Sequence, residues 1–263
     1  MIIDNRELKW QPTDEQVAAI CHRRFGVGAD GLMTLETTAH EDYLFEMRYY
    51  NSDGHLGSMC GNGGRCITAF AYMLFNEKGK MKDEKPVPTG FSYFISHFSF
   101  LAYDGPHDAD VLAWDGHVGL VRLGMRSVAV DEVRRVEEGW FLDTGSPHYV
   151  LRVNDLEHYD VFGEGRRLRH RTDLFPEGAN IDFIEDLPDG RLFVRTYERG
   201  VEDETWACGT GVTACAIVTG NRRLVTRGGD FRVDFSPTGT AYEQVKLTGP
   251  VSLNFTGTWT TAE

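Results

Sequence analysis

The chain has 263 residues, of which 41% are hydrophobic and 25% charged, fractions typical of a globular protein with one large domain or two of moderate size. Its formal net charge of −13 argues against nucleic acid as a partner, because phosphate backbones reward clustered Lys and Arg. The chain begins with a stretch that carries Asp4, Arg6, Glu7 and Lys9 and has no apolar run like a signal peptide or a membrane span, so we expect a cytoplasmic protein that acts on a small molecule.

The first predicted helix begins with a capping box. Thr13 is followed three positions later by Gln16, so that each side chain can bond to the backbone of the other, and the helix is predicted to run to about Arg24. Residues 26–31 then fit the G-x-G-x-x-G pattern of dinucleotide-binding loops, but such a loop follows a strand and opens a helix. Here the glycines follow a helix and precede the β-like residues 32–35, so we predict a turn and not a nucleotide site.

A strand and a helix are predicted on either side of Cys60. Large apolar residues alternate with others along residues 43–49, which predicts a half-buried strand. Residues 67–75 are apolar on nearly every side of a helix, and we expect this helix to lie in a core and to end near Gly79. The charged, proline-containing stretch 80–88 is predicted to be a surface loop.

The second half of the chain repeats this order of elements. Short β-like runs alternate with turns between residues 91 and 153, and residues 192–197 form another predicted strand. A loop then leads to Cys208 and to a second apolar helix over residues 212–218. Because Cys60-Gly-Asn-Gly and Cys208-Gly-Thr-Gly each follow a strand and a loop and each open a buried helix, the sequence indicates two homologous lobes that face each other.

Glycine-rich turns at the start of helices are natural anion sites. Their backbone N–H groups point outward and the positive end of the helix dipole lies behind them, so a substrate carboxylate could bind at either turn. The same field favours a thiolate, and we expect a lowered pKa at Cys60 and at Cys208. Inversion of an α-carbon without a cofactor needs a base on one face and an acid on the other, which one thiolate and one thiol would supply. The turn amides would hold the negative charge that develops on the carboxylate.

The cysteines also have an ordinary structural explanation. A single cysteine at a helix start is more often a small buried residue than a reactive one, and it is the duplication that favours chemistry at Cys60 and Cys208. Cys66 and Cys215 lie inside the apolar helices and, like Cys21, are predicted to be core residues. The odd number of cysteines and their spacing favour reduced thiols over a disulfide framework or a zinc site, so no metal is expected.

For two further residues, Arg199 and His148, the sequence alone leaves two interpretations open. Arg199 lies at the end of a predicted strand, where it could bind a second carboxylate or form a surface ion pair. His148 could be a structural turn residue or could tune the pKa of a cysteine.

Residues 59–66, which include Cys60, and residues 198–211, which end in Cys208-Gly-Thr-Gly, resemble the two signature segments of the diaminopimelate epimerase family. Shorter similarities at residues 3–6, 24–31, 50–54 and 180–183 extend the resemblance over nearly the whole chain. The resemblance implies an isomerase that interconverts LL- and meso-diaminopimelate without pyridoxal phosphate or another cofactor, in lysine and peptidoglycan-precursor synthesis.

The resemblance also implies an α+β fold of two pseudo-symmetric lobes, each a mostly antiparallel curved sheet or open barrel around a central apolar helix. The first lobe would comprise residues 1–104, rejoined by a last strand at residues 252–263. Residues 105–251 would form the second lobe, with the substrate in the cleft. The sequence leaves both a monomer and a homodimer open.

The resemblance implies roles for individual residues. The proton donor and acceptor of the family match Cys60 and Cys208. The turns that hold the reacting carboxylate and amine match Gly61, Asn62, Gly209 and Thr210. The residues that bind the substrate match Asn51, Asn180, Glu198 and Arg199. The positions that adjust the pKa of the thiols match His148 and Glu198.

Two departures from the family pattern stand out. Ser146 occupies a place where many members have asparagine, although its hydroxyl can still donate one hydrogen bond. Family members usually have a Gly-Asn-Asp-Phe segment before the stretch at residues 3–6, and this sequence starts almost on that stretch. A substrate-binding asparagine is therefore expected to be missing.

Three other functions are compatible with parts of the sequence. A proline or hydroxyproline epimerase would use the same pair of cysteines, but Asn62, Glu198 and Arg199 disfavour it. A non-catalytic binding protein would keep the cleft and lack the first strand. A thiol redox protein would join Cys60 and Cys208 in a disulfide, whereas we predict that such oxidation inactivates the enzyme reversibly.

Overall fold

The computed structural model describes residues 1–57, 60–76 and 96–260. The chain divides into two compact units, Met1–Leu123 with Val251–Glu263, and Gly124–Pro250. The first unit extends past residue 104, where the sequence analysis ended it, because the strand Gly105–Trp114 pairs with the strand before it. The last segment rejoins the first unit as expected, but among its described residues, 252–260, only Ser252, at the end of the strand Ala241–Ser252, lies in a strand. The loop predicted at residues 80–88 lies outside the described residues.

Within its described residues, the first unit contains the helices α1 (Asp14–Cys21) and α2 (Gly61–Asn76) and a sheet of six strands. The strands are β1 (Ile2–Asp4), β2 (Gly31–Glu36), β3 (Phe45–Asn51), β4 (Ser96–Ala102), β5 (Gly105–Trp114) and β6 (Val118–Gly124). They lie side by side in chain order. The pairs β1–β2 and β3–β4 are parallel, and the other neighbouring pairs are antiparallel.

The second unit has the helices α3 (Val161–Arg169) and α4 (Gly209–Thr219) and a short 3-10 helix at Val130–Glu132. Its strands are β7 (Val128–Ala129), β8 (Arg134–Val136), β9 (Gly139–Asp143), β10 (Pro147–Arg152), β11 (Asn180–Asp186), β12 (Leu192–Glu198), β13 (Asp203–Thr205), β14 (Arg223–Thr226), β15 (Gly229–Pro237) and β16 (Ala241–Ser252). The sheet order is β8-β9-β10-β11-β12-β14-β15-β16, in which β10–β11 and β12–β14 are the parallel pairs.

The two units share one connectivity. The first unit runs β1-α1-β2-β3-α2-β4-β5-β6, and the second runs β10-α3-β11-β12-α4-β14-β15-β16, with β13 inserted before α4. The parallel and antiparallel pairs also fall at the same places in both series. The duplication that the sequence indicated is therefore present in the topology, and the predicted α+β class with two similar, mostly antiparallel units is confirmed.

Helix α4 is the central element of the second unit. It packs against β9, β10, β11, β12, β14 and β15, and 8 of its 11 residues are buried. Because Val212, Thr213 and Ile217 are β-branched, burial stabilises this helix more than intrinsic propensity does. The helix ends at Gly220, whose φ of 74° suits the left-handed cap that glycine adopts without strain.

Helix α2 is less completely buried. Its buried residues begin with Gly61 and end with Tyr72, whereas Phe70 and residues 73–76 are partly exposed. The expectation of a helix buried on nearly every side therefore holds for α4 and not for α2. The helix end predicted near Gly79 lies outside the described residues.

The capping box of α1 is confirmed, since the Gln16 N–H donates to Thr13 Oγ1 (3.3 Å) and the Thr13 N–H donates to Gln16 Oε1 (3.1 Å). The helix ends at Cys21, earlier than predicted, and the glycine-rich residues 26–31 then turn back onto it. A Cβ atom on Gly26 would lie 2.1 Å from the carbonyl oxygen of Ala19, so this close approach requires glycine. Each helix among residues 1–57, 60–76 and 96–260 is too short or too polar to span a lipid bilayer.

Candidate active site

Cys60 directly precedes α2, and its sulfur lies at the start of that helix. The Gly64 N–H donates to the Cys60 carbonyl oxygen (2.8 Å), which closes the first helical turn. The Gly63 N–H donates to Cys60 Sγ (3.4 Å), so a helix N-terminal amide points at the sulfur. The side chain of Asn62 accepts a hydrogen bond at Oδ1 from Arg65 Nη2 (3.0 Å), which orients its amide.

Two more of the predicted residues lie in the same unit. Gly61 is the first residue of α2 and is buried. Asn51 is the last residue of β3 and is exposed, and its backbone closes a tight turn with the carbonyl oxygen of His55 (2.9 Å) and the N–H of Gly54 (2.9 Å).

Cys208 is the N-cap residue of α4 and repeats this arrangement in the second unit. Its backbone is extended, and its carbonyl oxygen accepts a hydrogen bond from the Val212 N–H (2.9 Å). The Sγ atom lies 3.3 Å from Thr210 Oγ1, and only 6% of the residue is exposed. Gly209 is buried beside it.

The expectation of a lowered pKa is wrong for Cys208. Burial raises the pKa of its thiol well above the ordinary value, and the negative charges of Glu198 and Asp182 raise it further. Hydrogen bonds to the Thr210 hydroxyl and the Gly211 N–H act in the opposite direction but are weaker influences. Desolvation therefore outweighs the helix N-terminus, and the isolated site favours the neutral thiol.

His148 is completely buried on β10 and contacts the Cys208 turn through Thr210. Its Nε2 atom lies 2.9 Å from Thr210 Oγ1, and its Nδ1 atom lies 2.7 Å from Asp182 Oδ2. Asp182 is also fully buried and accepts a second hydrogen bond from Thr196 Oγ1 (2.7 Å). The sequence analysis did not single out Asp182. The signal that could have found it was a charged residue between the apolar residues Ile181 and Phe183 of β11.

Ser146, which stands where many family members have asparagine, contacts three residues around the Cys208 turn. Its Oγ atom lies 3.0 Å from His148 Nε2 and 3.1 Å from Thr210 Oγ1, and it accepts a hydrogen bond from Asn180 Nδ2 (3.2 Å). The hydroxyl is therefore part of the network around the Cys208 turn.

Asn180 and Arg199 join the ends of β10 and β12. Asn180 Nδ2 donates to the Pro147 carbonyl oxygen (3.0 Å), and Asn180 Oδ1 accepts from the Arg199 N–H (2.9 Å). The guanidinium of Arg199 makes one hydrogen bond in the described part of the chain, from Nη1 to the Glu177 carbonyl oxygen (3.1 Å), and no carboxylate lies within 4.0 Å of it there. Arg199 therefore does not form the surface ion pair that was one of its two interpretations, and its remaining N–H donors are available to a ligand. Glu198 accepts a hydrogen bond from Thr205 Oγ1 (2.8 Å).

Two of the other three cysteines lie in apolar cores. Cys21 and Cys215 belong to the hydrophobic cores of the first and second units, and Cys66 is half-buried within α2. Burial raises the pKa of all three thiols. Residues 1–57, 60–76 and 96–260 contain no cluster of three or more His, Cys, Asp or Glu side chains suited to a metal ion.

Comparisons with known proteins agree with the resemblance seen in the motifs. The sequence profile of the family described as "Diaminopimelate epimerase" matches residues 1–87 and 140–252. The chain is 38% identical to the diaminopimelate epimerase of Chlorobaculum tepidum, with 99% of this chain and 96% of that protein covered. It is 37% identical to the diaminopimelate epimerase of Flavobacterium psychrophilum, with 97% and 93% covered.

A solved structure, that of a hydroxyproline epimerase from Agrobacterium vitis, is similar with a TM-score of 0.60 and 17% identity, covering 90% of this chain and 78% of that one. This likeness concerns the fold alone. The profile match and the identity to relatives of nearly the same length identify the family. The chain therefore belongs to the diaminopimelate epimerase family.

Proposed function

We propose that this enzyme interconverts LL- and meso-diaminopimelate by a two-base mechanism in which Cys60 and Cys208 are the acid and the base. The observation that carries the proposal is the repeated start of α2 and α4, where a cysteine precedes a glycine-rich helical turn in each unit. A symmetric pair of groups suits a reaction whose two directions are mirror images at one carbon. We place this reaction in lysine and peptidoglycan-precursor synthesis in the cytoplasm.

The chemistry balances without an oxidant or a reductant. One cysteine, as the thiolate, takes the α-proton and becomes a thiol while the Cα–H bond breaks. The other cysteine gives its proton to the opposite face of the carbon and becomes a thiolate. The backbone N–H groups of residues 61–64 and 209–211 would stabilise the negative charge that passes through the substrate carboxylate.

Arg199 supports a substrate with an amino acid at each end. Among residues 1–57, 60–76 and 96–260 its guanidinium makes one hydrogen bond, to a backbone carbonyl oxygen, so it retains N–H donors for the distal carboxylate. Asn51, Asn180 and Glu198 would bind the remaining amine and carboxylate groups. A monoacid such as proline would leave the arginine without a charged partner, at a cost in binding.

Exchange of the α-proton in heavy water tests the proposal. Meso-diaminopimelate should gain deuterium at its epimerisable α-carbon, and Cys60→Ala and Cys208→Ala should each slow the formation of the LL isomer by at least about 100-fold. Cys66→Ala and Cys215→Ala are matched controls, because they make the same change inside the helices that directly follow Cys60 and Cys208, and they should retain both exchange and epimerisation.

Three other outcomes would point to a different mechanism, substrate or function. Conversion to the LL isomer that survives in either Cys60→Ala or Cys208→Ala would refute the two-thiol mechanism. A parent protein that exchanges proline or hydroxyproline and leaves diaminopimelate untouched would establish the alternative epimerase. A parent that exchanges none of these substrates but binds them would point to a non-catalytic binding protein.

A further inference from the structure

The two cysteine-bearing turns differ in the side chain that lies beneath them. A Cβ atom on Gly211, in the Cys208 turn, would lie 2.4 Å from Asp182 Oδ1. A Cβ atom on Gly63, at the same place in the Cys60 turn, would lie 3.0 Å from Met33 Sδ. Each glycine therefore packs directly on a different kind of residue, a carboxylate in one unit and a thioether in the other.

Strand pairing shows that Asp182 and Met33 occupy equivalent positions. Asp182 is the third residue of β11, and Met33 is the third residue of β2, the corresponding strand of the first unit. Each residue is paired on one side with the parallel first strand of its unit and on the other side with the antiparallel third strand. The two units therefore have the same backbone arrangement at this position, but the side chain beneath the turn is a carboxylate at Cys208 and a thioether at Cys60.

A continuous series of hydrogen bonds connects Asp182 to the sulfur of Cys208. The Cys208 Sγ–Thr210 Oγ1 distance is 3.3 Å, and the Thr210 Oγ1–His148 Nε2 distance is 2.9 Å. The series continues from His148 Nδ1 to Asp182 Oδ2 (2.7 Å) and ends with Thr196 Oγ1, which donates to Asp182 Oδ1 (2.7 Å). All five residues belong to the second unit.

The chemistry of these groups decides the direction of each bond. A carboxylate only accepts, so His148 Nδ1 carries a proton and donates it to Asp182, which leaves Nε2 of the neutral ring as an acceptor. The Thr210 hydroxyl can then donate to Nε2 and accept the S–H of Cys208 at the same oxygen. In this arrangement the thiol proton has a path to a base.

We propose that Asp182 is a positioning residue for Cys208, holding His148 so that Nε2 receives the thiol proton through the hydroxyl of Thr210. The S–H bond breaks as its proton passes to Thr210 Oγ1, and the hydroxyl proton of Thr210 passes to Nε2. The products are a thiolate and an imidazolium, and the carboxylate of Asp182 balances the charge of the imidazolium. This inference rests on the proposed two-thiol function and assigns the side-chain relay to Cys208, since Met33 cannot replace the carboxylate beneath Cys60.

The charge of Asp182 by itself has the opposite effect on Cys208. The ionisable groups facing this thiol are Glu198 at the end of β12, Asp182 on β11, His148 on β10 through Thr210, and Cys215 on α4. The negative charges of Glu198 and Asp182 both raise the pKa of Cys208. A role through charge alone and a role through His148 therefore predict changes of opposite sign when Asp182 is neutralised.

The test is a titration of the Cys208 thiolate by its ultraviolet absorbance, measured as the difference between each protein and the same protein carrying Cys208→Ala. In Asp182→Asn the Cys208 midpoint should move to higher pH by about one unit, which means about tenfold less thiolate at a given pH. Thr210→Val should move it in the same direction, and Thr210→Ser, which keeps the hydroxyl, should restore it. Asp186→Asn makes the same change at an exposed position of the same strand and should leave the midpoint unchanged.

A midpoint that moves to lower pH in Asp182→Asn, or that stays in place in Thr210→Val, would overturn the proposal. Should Asp182→Asn fail to fold, His148→Gln removes the ring base while Thr210 and Asp182 stay, and it should also move the Cys208 midpoint to higher pH; a midpoint that stays in place there would overturn the proposal. The titration needs no substrate, so it stands even where the parent protein does not exchange diaminopimelate. Where the parent does catalyse exchange, Asp182→Asn should lower kcat about tenfold or more and shift its pH profile to higher pH, with little change in KM.

Discussion

Cys208 combines a helix N-terminus, which favours a thiolate, with burial, which disfavours one. Glu198 adds to the effect of burial, because its negative charge raises the pKa of the thiol. The neutral form therefore needs a proton acceptor or an approaching substrate amine before it can act as a base. The protonation of Cys208 is therefore governed by burial and by the neighbouring carboxylates, which outweigh the helix N-terminus.

The Glu198→Gln variant tests this balance at the scale of one residue. Removing the negative charge should lower the pKa of Cys208, so alkylation of this thiol at a fixed, mildly alkaline pH should become several-fold faster. The rate is measured by peptide mass spectrometry after brief treatment with iodoacetamide. Glu243→Gln removes an exposed charge on β16 and serves as the control. Unchanged or slower alkylation in Glu198→Gln would contradict the prediction.

The starts of α2 and α4 have the same backbone arrangement, but we expect them to differ in how well they accept alanine in place of glycine. Gly211→Ala should destabilise the protein by about 1–3 kcal/mol, because the new methyl group meets the carboxylate of Asp182, which two hydrogen bonds hold in place. Gly63→Ala should be close to neutral, because the thioether of Met33 can rotate away and alanine favours the helix by up to about 1 kcal/mol.

Urea unfolding of Gly211→Ala and Gly63→Ala beside the parent gives the comparison directly. An equal decrease in the free energy of unfolding in the two variants would mean that the residue beneath the turn, Asp182 or Met33, does not determine the cost of adding a methyl group.

The capping box of α1 gives a second prediction for a single element. Thr13→Ala removes the acceptor for the Gln16 N–H, and it should lower the free energy of unfolding by about 1 kcal/mol. Thr13→Ser keeps a hydroxyl at the cap and should stay near the parent value in the same denaturant titration. A loss in the serine variant as large as that in the alanine variant would assign the effect to the methyl group of Thr13.

The stability of the whole molecule should depend on alkaline pH through its buried thiols. Burial raises the pKa of Cys21, Cys66, Cys208 and Cys215, whereas in the unfolded chain thiols ionise from about pH 8.5 upward. The folded state therefore binds more protons than the unfolded state in this range. Its stability is fully present below about pH 8.5 and is lost as the pH rises through the folded pKa values.

Melting temperatures measured with a reductant should thus be steady up to about pH 8.5 and should fall above it. Cys215→Ala is the variant to compare, because it removes one of the buried thiols without touching the proposed relay. Its melting temperature should be lower at neutral pH, owing to the lost packing, but should fall less steeply above about pH 8.5. A parallel fall in both proteins would exclude Cys215 as a source of the pH dependence.

The sequence by itself determined the family, the duplication and the cysteine turns. Short motifs such as Cys60-Gly-Asn-Gly and Cys208-Gly-Thr-Gly indicate their local structure, because a glycine-rich turn directly before an apolar helical run is typical of a helix N-terminus. Alternating or continuous apolar runs likewise predicted β3, β12 and α4, since periodicity is a local property of the chain. The roles of individual site residues came from family resemblance and stay proposals.

Only the tertiary structure decided which residues the motifs meet. The boundary of the first unit depends on the pairing of β5 with β4. Helix α3 was not predicted because it is short, contains two glycines and has few apolar residues to mark its buried face. The sequence shows Asp182 only as a charged residue between two apolar ones. In the structure, the pairing of β10 with β11 places it in hydrogen-bond contact with His148. The pKa of Cys208 is raised because burial is a property of the whole fold, which a helix start in the sequence does not reveal.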